Sequence, residues 1–332
     1  MTEQTYSLDE IMRALANREF VVYYQPQYSA LTNRLKSAEA LARWRTDHGI
    51  VMPGSFIPIL EQGEEILEFD WYILREVCRF LSLQEEKKLY RVPVAVNFSR
   101  LHFREGDFLP RLLETVDGFG VPHSLVEVEI TESAISEDGN EIISQVREIR
   151  EAGFSVAIDD FGSGLSSLSL VKDMDADVLK IDKSLLSQNC EDEKERIVLE
   201  SIFSFAHRLK LKTVAEGVET AEQLGFLRTC DCKLIQGFLF SKPLPEEEFL
   251  KLCSEGENAK EAEDILTVQA PSAATQLLLD AVFTRYPLVI FSNLTRNSFY
   301  MMAYENFTAR SCPSTGVFDE LIAHGTATMH PD

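Results

Sequence analysis

Carboxylate and amide side chains follow several apolar, β-branched runs of this sequence. In IDDFGSG, at positions 158–164, Asp159 and Asp160 come directly after such a run and before a glycine-rich turn. The other runs carry polar residues at or near their ends: Glu39, Arg43, Asn97, Glu129, Glu132, Lys180, Asp182, Glu216, Glu219 and Gln236. Oxygen ligands without histidine or cysteine favour Mg²⁺ or Mn²⁺ over zinc. The pattern therefore predicts a divalent-metal site.

The charge of such a site supports this interpretation. Five carboxylates would converge on it: Glu39, Glu129, Asp159, Asp160 and Glu216. Each pair of them about 4 Å apart costs about 4 kcal/mol at an effective dielectric constant of 20. Lys180 and Arg43 offset two of these charges. One polar residue at a strand end is ordinary, but the whole set requires further positive charge, which metal ions would supply.

The two adjacent aspartates need a change of chain direction between them. Successive side chains on a strand point to opposite faces, so a regular strand would separate Asp159 from Asp160. A turn that begins at Asp160 would return its carboxylate to the side of Asp159, and Gly162 and Gly164 permit that turn. Asp159 could then bridge two metal ions while Asp160 binds the second. Paired ions about 3.5–4 Å apart are typical of in-line phosphoryl displacement.

The elements that must position these residues alternate between strands and helices. Eight runs are strand candidates: 20–28, 35–44, 92–99, 125–133, 155–161, 177–182, 212–219 and 233–237. The segments between them have helical spacing. Alternating strands and helices imply a mostly parallel sheet, and eight such units in about 250 residues predict an α/β fold, a closed (β/α)8 barrel of the TIM type with its active site at the carboxyl ends of the strands. A short polar turn joins the first two strands, which predicts that this pair is antiparallel.

The composition changes after residue 252. We expect the barrel to occupy residues 1–252, a charged and partly helical linker to follow at 253–275, and a short C-terminal α+β segment to span 276–332. That segment holds a helix candidate at 276–283 and a strand candidate at 288–293. About 60 residues are few for an independent hydrophobic core.

The net charge of −22 argues against binding a nucleic-acid polymer along an exposed surface, because such binding needs a basic footprint. The N-terminus has neither a basic nor an apolar signal-peptide region, and no run approaches the roughly 18 apolar residues of a membrane span. The six cysteines include no CxxC motif. We therefore expect reduced thiols and a cytoplasmic location.

Several motifs together resemble the EAL-domain cyclic di-GMP phosphodiesterases. EAL stands at 39–41 within SAEALARW, and further matching stretches follow in order: VAVNFSR at 94–100, EITES at 129–133, IDDFGSGLSSL at 158–168, LKID at 179–182, VAEGVET at 214–220 and IQGFLFSKPLP at 235–245. Members of this family hydrolyse cyclic di-GMP to linear pGpG. The resemblance, which covers residues 8 to about 250, implies the same reaction and two Mg²⁺ or Mn²⁺ ions.

The resemblance also implies residue roles. It assigns the first metal to Glu39, Asn97, Glu129 and Asp159, and the second to Asp159 and Asp160. Glu216 is similar to the general base, and Lys180 to the residue that orients water and stabilises charge on the reacting phosphate. Substrate contacts fall to Gln25, Leu41, Arg43 and Gln236, and supporting roles to Glu132, Glu219 and Asp182. Glu132 matches a residue that anchors the glycine-rich loop.

The same resemblance implies a homodimer, because in the family this loop couples dimerisation to metal binding. The chain departs from the pattern at Leu165, where the family usually has an aromatic residue; this departure affects loop packing rather than the metal ligands. A non-catalytic cyclic di-GMP receptor is the alternative function, and a barrel hydrolase of another phosphoester is a third.

The C-terminal segment resembles the start of a PAS sensor domain at 285–307, with a helical stretch of the same kind at 318–332. A full PAS domain needs about 100 residues, so this segment would be partial. The alternative is an amphipathic extension that packs on the barrel.

Overall fold

The computed structural model describes residues 6–104, 106–163, 168–186 and 193–263, and three strands further along the chain. The helices of the first unit are α1 Leu8–Ala16, α2 Ile57–Leu60, α3 Glu65–Glu86, α4 Phe108–Gly118, α5 Glu132–Glu151, α6 Leu168–Asp173, α7 Glu193–Arg208, α8 Ala221–Thr229 and α9 Glu246–Glu263. Its strands are β1 Phe20–Ser29, β2 Leu35–Thr46, β3 Gly49–Val51, β4 Val94–Asn97, β5 Val126–Thr131, β6 Ser155–Phe161, β7 Val178–Ile181, β8 Lys212–Ala215, β9 Leu234–Ile235 and β10 Leu244–Pro245.

Eight of these strands close into a barrel. β2, β4, β5, β6, β7, β8 and β9 pair in parallel in that order, and β1 closes the ring by pairing antiparallel with both β9 and β2. β3 forms an antiparallel hairpin with the end of β2, and β10 pairs antiparallel with Tyr23 and Tyr24 of β1. The predicted (β/α)8 barrel and its antiparallel first strand are confirmed.

The interior of the barrel is layered. Ala157, Val178 and Val214 form a small buried apolar cluster with Leu234 packed against it. Because side chains two residues apart share a strand face, the next residues on that face are Asp159, Lys180, Glu216 and Gln236. The apolar cluster is therefore the floor beneath the polar residues, and the larger hydrophobic core lies between the strands and the surrounding helices.

Among the strands that end earlier than the sequence predicts, two change the setting of three glutamates. The strand predicted at 125–133 ends at Thr131, whose side chain caps α5 by accepting a hydrogen bond from the Ala134 amide. Glu132 is therefore the first residue of a helix, and it is buried rather than outside the core. The strand predicted at 212–219 ends at Ala215, before a turn at Gly217 with φ of 63°. Glu216 and Glu219 lie in the loop that follows β8.

The chain divides into two units at residue 260. α9 crosses position 253, where the linker was predicted to begin, and Cys253 is buried in the core of the first unit. The second unit contains an antiparallel sheet of β11 Leu288–Asn293, β12 Ser298–Ala303 and β13 Thr315–Val317. The strand predicted at 288–293 is confirmed, whereas the helix candidates at 276–283 and 318–332 lie outside the described residues.

Within the described part of the chain, no helix has the length and apolar character needed to cross a membrane.

Gly237 is required by close backbone packing next to the site. A Cβ atom at this position would lie 2.1 Å from the carbonyl oxygen of Val218 and 2.3 Å from its nitrogen. We expect Gly237→Ala to lower the free energy of unfolding by about 1–3 kcal/mol in urea denaturation, because backbone atoms cannot yield as a side chain can. Gly225→Ala in α8 is the matched control: no atom lies within 4 Å of its Cβ position, so alanine should be neutral or stabilising. Equal effects of the two substitutions would contradict this interpretation.

Candidate metal centre and active site

Lys180 lies at the centre of the polar residues inside the barrel. It is fully buried on β7, and its ammonium contacts carboxylates supplied by β2, β5, β6 and the loop after β8. The Nζ atom is 3.3 Å from Glu39, 2.9 Å from Glu129, 2.9 Å from Asp159 and 2.8 Å from Glu216. One cation is thus shared by four carboxylates.

The carboxylates remain incompletely satisfied by this lysine. Apart from the Lys180 ammonium, which is 2.9 Å from Oε1, neither oxygen of the fully buried Glu129 has a hydrogen-bond donor among the described residues. Leaving buried acceptors without donors is costly, more so when they are charged. The cluster therefore has unused ligand atoms in the place where a cation would be most stabilised.

The pKa values of the group reflect an excess of negative charge. Burial is the largest cause that raises the pKa of Glu129 well above its usual range, and it raises the pKa of Glu216 to about 8, in both cases against the opposing effect of Lys180. Burial alone would lower the pKa of Lys180, but Asp159, Glu129 and the other carboxylates outweigh it and raise that pKa. The pKa values of Glu129 and Glu216 are raised although Lys180 opposes the shift, because one ammonium does not compensate their burial and the repulsion from neighbouring acids.

Asp160 is placed by a left-handed backbone conformation. Its φ is 57°, and the pairing of β6 with β7 is irregular between Ile158 and Phe161. Aspartate tolerates this region better than most residues, and the bend brings ligand oxygens of Asp159, Asp160 and Glu216 within 4.8 Å of one another. Burial, with the charge of Asp159, raises the pKa of Asp160 to about 6. The turn predicted to reunite the two aspartates is present.

Glu132 and Asp182 border this turn. The amide of Gly162, whose φ is 98°, donates to Glu132 Oε2 at 3.3 Å, so Glu132 does contact the glycine-rich loop from the start of α5. Asp182 caps the short helix Lys183–Leu185, and its charge contributes to the raised pKa of Asp160. Gly164 and Leu165 lie outside the described residues.

Glu39 has an amide donor on each of its oxygens. Asn97 Nδ2 donates to Oε1 at 3.1 Å, which leaves the Asn97 carbonyl oxygen as a ligand atom, and Gln236 Nε2 donates to Oε2 at 2.6 Å. Two buried residues that the sequence analysis does not name continue the group. Gln27 Nε2 donates to Gln236 Oε1 at 2.8 Å, and the Ser37 hydroxyl donates to Gln27 Oε1. The sequence could have indicated Gln27 and Ser37 by their spacing, since each lies two residues from a predicted site residue on the same strand.

Three of the predicted substrate contacts, Gln25, Leu41 and Arg43, lie on β1 and β2 near Glu39, whereas the fourth, Gln236, follows β9 and donates to Glu39. Gln25 pairs with Glu39 across the two strands, and Leu41 and Arg43 follow Glu39 on the same face of β2. The Arg43 guanidinium lies over the Tyr23 ring, 5.6 Å from its centroid, and burial lowers the pKa of Arg43. Leu41 also lines a cavity of about 500 Å³ that reaches Asn97.

Glu219 is not brought into the centre. It is exposed in the loop before α8, and its backbone amide donates to Gln223 Oε1. Among the described residues, no contact of the Glu219 carboxylate supports its predicted role in the site.

The donor set fits a divalent metal ion. One carboxylate oxygen from each of Glu39, Glu129 and Asp159 lies within 4.8 Å of the others, and this cluster shares Asp159 with the cluster of Asp159, Asp160 and Glu216. The ligands are hard oxygen atoms, the buried Glu129 carboxylate has no neighbouring donor among the described residues other than Lys180, and the local charge is negative. Each of these properties favours cation binding.

A model of the EAL domain family matches residues 8–243. The chain belongs to the EAL domain family. The oxygen sensor protein DosP of Escherichia coli is 37% identical over 239 residues, which are 72% of this chain and 30% of that protein. The cyclic di-GMP phosphodiesterase NbdA of Pseudomonas aeruginosa is 34% identical over 254 residues, 75% of this chain and 32% of NbdA. This chain thus spans about a third of the length of these relatives.

The barrel of the EAL domain also matches solved structures. The PaMucR phosphodiesterase in its c-di-GMP complex is 32% identical, with a TM-score of 0.69, and the match covers 73% of this chain and 99% of that one. The EAL domain of FimX from Pseudomonas aeruginosa, at 19% identity and a TM-score of 0.66, shares the fold.

The lysine at the centre of the EAL domain generates a stability prediction. Lys180→Met leaves four carboxylates without their cation, three of them buried, and breaking buried ion pairs in this way costs about 3–5 kcal/mol. We expect that loss in the free energy of unfolding when EDTA is present, and a smaller loss in saturating Mg²⁺, because the ions then compensate the acids. Urea denaturation under both conditions measures the difference.

Lys172→Met is the control, because Lys172 is an exposed lysine whose Nζ lies 3.3 Å from Asp173. Its effect should stay within about 0.5 kcal/mol. A Lys180→Met loss that is equal in EDTA and in Mg²⁺ would show that the lysine does not substitute for metal charge.

Proposed function

We propose that this EAL domain is a metal-dependent phosphodiesterase that hydrolyses cyclic di-GMP to linear pGpG. The observation that carries the proposal is the convergence of Glu39, Glu129 and Asp159 on Lys180, with Glu216 on the same ammonium. A negatively charged substrate can enter such an acidic site when divalent cations reverse its charge. The site then joins cation binding, a candidate base and a fixed ammonium in one place.

The relatives support the choice of substrate. NbdA is named a cyclic di-GMP phosphodiesterase, and the PaMucR phosphodiesterase was solved with c-di-GMP bound. The similarity covers 75% of this chain for NbdA and 73% for the PaMucR phosphodiesterase.

We assign one metal ion to Glu39, Asn97, Glu129 and Asp159, and a second ion to Asp159 and Asp160. The oxygen donors favour Mg²⁺ or Mn²⁺. When bound, such ions polarise the phosphate and lower the pKa of the attacking water.

Glu216 is the candidate general base. It takes a proton from the attacking water as the water oxygen bonds to phosphorus. The bond from phosphorus to the 3′-oxygen breaks, the leaving 3′-oxygen takes a proton from solvent, and the product carries a 5′-phosphate. The contact of 2.8 Å with Lys180 Nζ holds the carboxylate in position. Lys180 also remains protonated, as its raised pKa requires, and so offers fixed positive charge to the reacting phosphate.

The EAL domain should convert cyclic di-GMP to pGpG in Mg²⁺ and lose this activity in excess EDTA. Glu216→Gln should lower the turnover number by a factor of about 10²–10⁴, because a general base acts in the transition state. Its affinity for cyclic di-GMP should stay within about tenfold of wild type. Product chromatography and isothermal titration measure the two quantities.

Glu222→Gln, at an exposed glutamate in the first turn of α8, is the matched control and should retain full turnover. Wild-type protein that binds cyclic di-GMP without cleaving it would favour the receptor function. Full activity in EDTA, or full turnover by Glu216→Gln, would contradict the proposed mechanism.

Several features stay predictions. They include the substrate contacts of Gln25, Leu41, Arg43 and Gln236. They also include the homodimer, the cytoplasmic location and the absence of a nucleic-acid polymer as partner. The division into a barrel at 1–252, a linker at 253–275 and a partial PAS-like segment at 276–332 is a further prediction. The support for the last is the resemblance of its sequence, since the family match ends at residue 243.

A further inference from the structure

Four buried side chains form a hydrogen-bonded chain that ends on Glu39. The Ser37 hydroxyl donates to Gln27, Gln27 Nε2 donates to Gln236 Oε1 at 2.8 Å, and Gln236 Nε2 donates to Glu39 Oε2 at 2.6 Å. Each of the four residues is no more than 8% exposed. Water therefore cannot replace any link at low cost, and every link matters to the next.

The direction of this chain follows from the chemistry of its last member. An ionised carboxylate only accepts hydrogen bonds, so Gln236 must present its NH₂ group to Glu39. The carbonyl oxygen of Gln236 then faces Gln27, which must also present its NH₂ group. The carbonyl oxygen of Gln27 consequently requires a donor, which is the Ser37 hydroxyl. One orientation of both amides satisfies all the links.

The chain of bonds crosses the place where the barrel closes. Gln27 pairs with Ser37 between β1 and β2, and the pairing of β1 with β9 consists of two residue pairs, one of them Tyr28 with Ile235. Gln236 directly follows Ile235. The bonds therefore run from β2 through β1 to the end of β9 and back to β2. Beneath Asp159 and Glu216 the floor is apolar, whereas beneath Glu39 it consists of these polar groups.

We propose that Gln27 and Ser37 are positioning residues that hold the Glu39 carboxylate, through Gln236, in the orientation of a metal ligand. The inference rests on the proposed role of Glu39 in metal binding. Neither Gln27 nor Ser37 contacts Glu39 directly, so both act through Gln236. Outer hydrogen-bond partners of this kind typically change metal affinity 10–100-fold.

The test measures binding of Mn²⁺ alone to the full chain by isothermal titration, without substrate. Gln27→Met keeps the volume of the side chain but leaves Gln236 Oε1 without its donor, and it should raise the dissociation constant for Mn²⁺ about 10–100-fold. Ser37→Ala should change it in the same direction by a smaller factor, and Ser37→Thr, which keeps the hydroxyl, should restore it.

A double variant tests whether the residues act in series. Because Ser37 acts through Gln27, adding Ser37→Ala to Gln27→Met should change Mn²⁺ affinity less than twofold, whereas independent residues would give additive effects. Gln84→Met is the matched control. Gln84 is a fully buried glutamine on α3 whose Nε2 lies 3.2 Å from Cys253 Sγ, and its loss should leave Mn²⁺ affinity unchanged.

The outcomes separate this inference from the proposed function. Wild-type affinity in both Gln27→Met and Ser37→Ala, additive effects in the double variant, or an equal loss in Gln84→Met would overturn the positioning role while leaving the metal site intact. Wild-type protein that binds no Mn²⁺ would instead overturn the metal assignment on which the inference rests.

Discussion

One buried ammonium shared by four carboxylates is the constraint on which the rest of this barrel depends. Lys180 lies within 3.3 Å of Glu39, Glu129, Asp159 and Glu216, and Asp160 adds a fifth acid beside them. A buried charge is stable only when it is paired and hydrogen-bonded. Lys180 offsets part of the negative charge inside the barrel, and the raised pKa values of Glu129 and Glu216 indicate that it does not offset all of it. The remaining negative charge is what a pair of divalent cations would use.

The barrel supplies this arrangement by giving each acid a separate support. Glu129 and Asp159 come from adjacent parallel strands, in which Glu129 pairs with Ala157 and Thr131 with Asp159. The position of Asp160 depends on its own left-handed backbone conformation and on the loop that Glu132 contacts. Glu39 lies on the strand next to the antiparallel β1, where buried amides replace the apolar floor. Five acids thus reach one mouth without any single loop having to hold them all.

Much of this could be predicted from the sequence. Alternating strand and helix patterns indicated the barrel, and polar residues at the ends of those strands indicated its functional end, because parallel strands end on one face. The turn at Asp160 was also predictable, since two adjacent aspartates before glycines need a change of direction. These features depend on local patterns of period two and on turn chemistry.

The rest depended on contacts that local patterns do not contain. Gln27 and Ser37 become part of the site through the register of β1 against β2 and the closure of β9 onto β1. The same is true of Lys180, whose role as a shared partner requires four elements to converge. Glu132 begins a helix because Thr131 caps it, and Glu219 turns out to be exposed, since β8 ends at Ala215 and the following turn directs it away.

The central claim, that Lys180 alone cannot keep all of the neighbouring acids ionised, is tested most directly by counting protons during metal binding. Isothermal titration of Mn²⁺ into the metal-free protein at pH 7, repeated in buffers of different ionisation enthalpy, gives the number of protons released. Burial raises the pKa of Glu216 to about 8 and that of Asp160 to about 6, so acids that are partly protonated at pH 7 must lose protons when cations bind. The account predicts net release of protons at pH 7 that decreases as the pH rises above 8. Binding heats that do not depend on the buffer would show that these acids are already fully ionised around Lys180, and would contradict it.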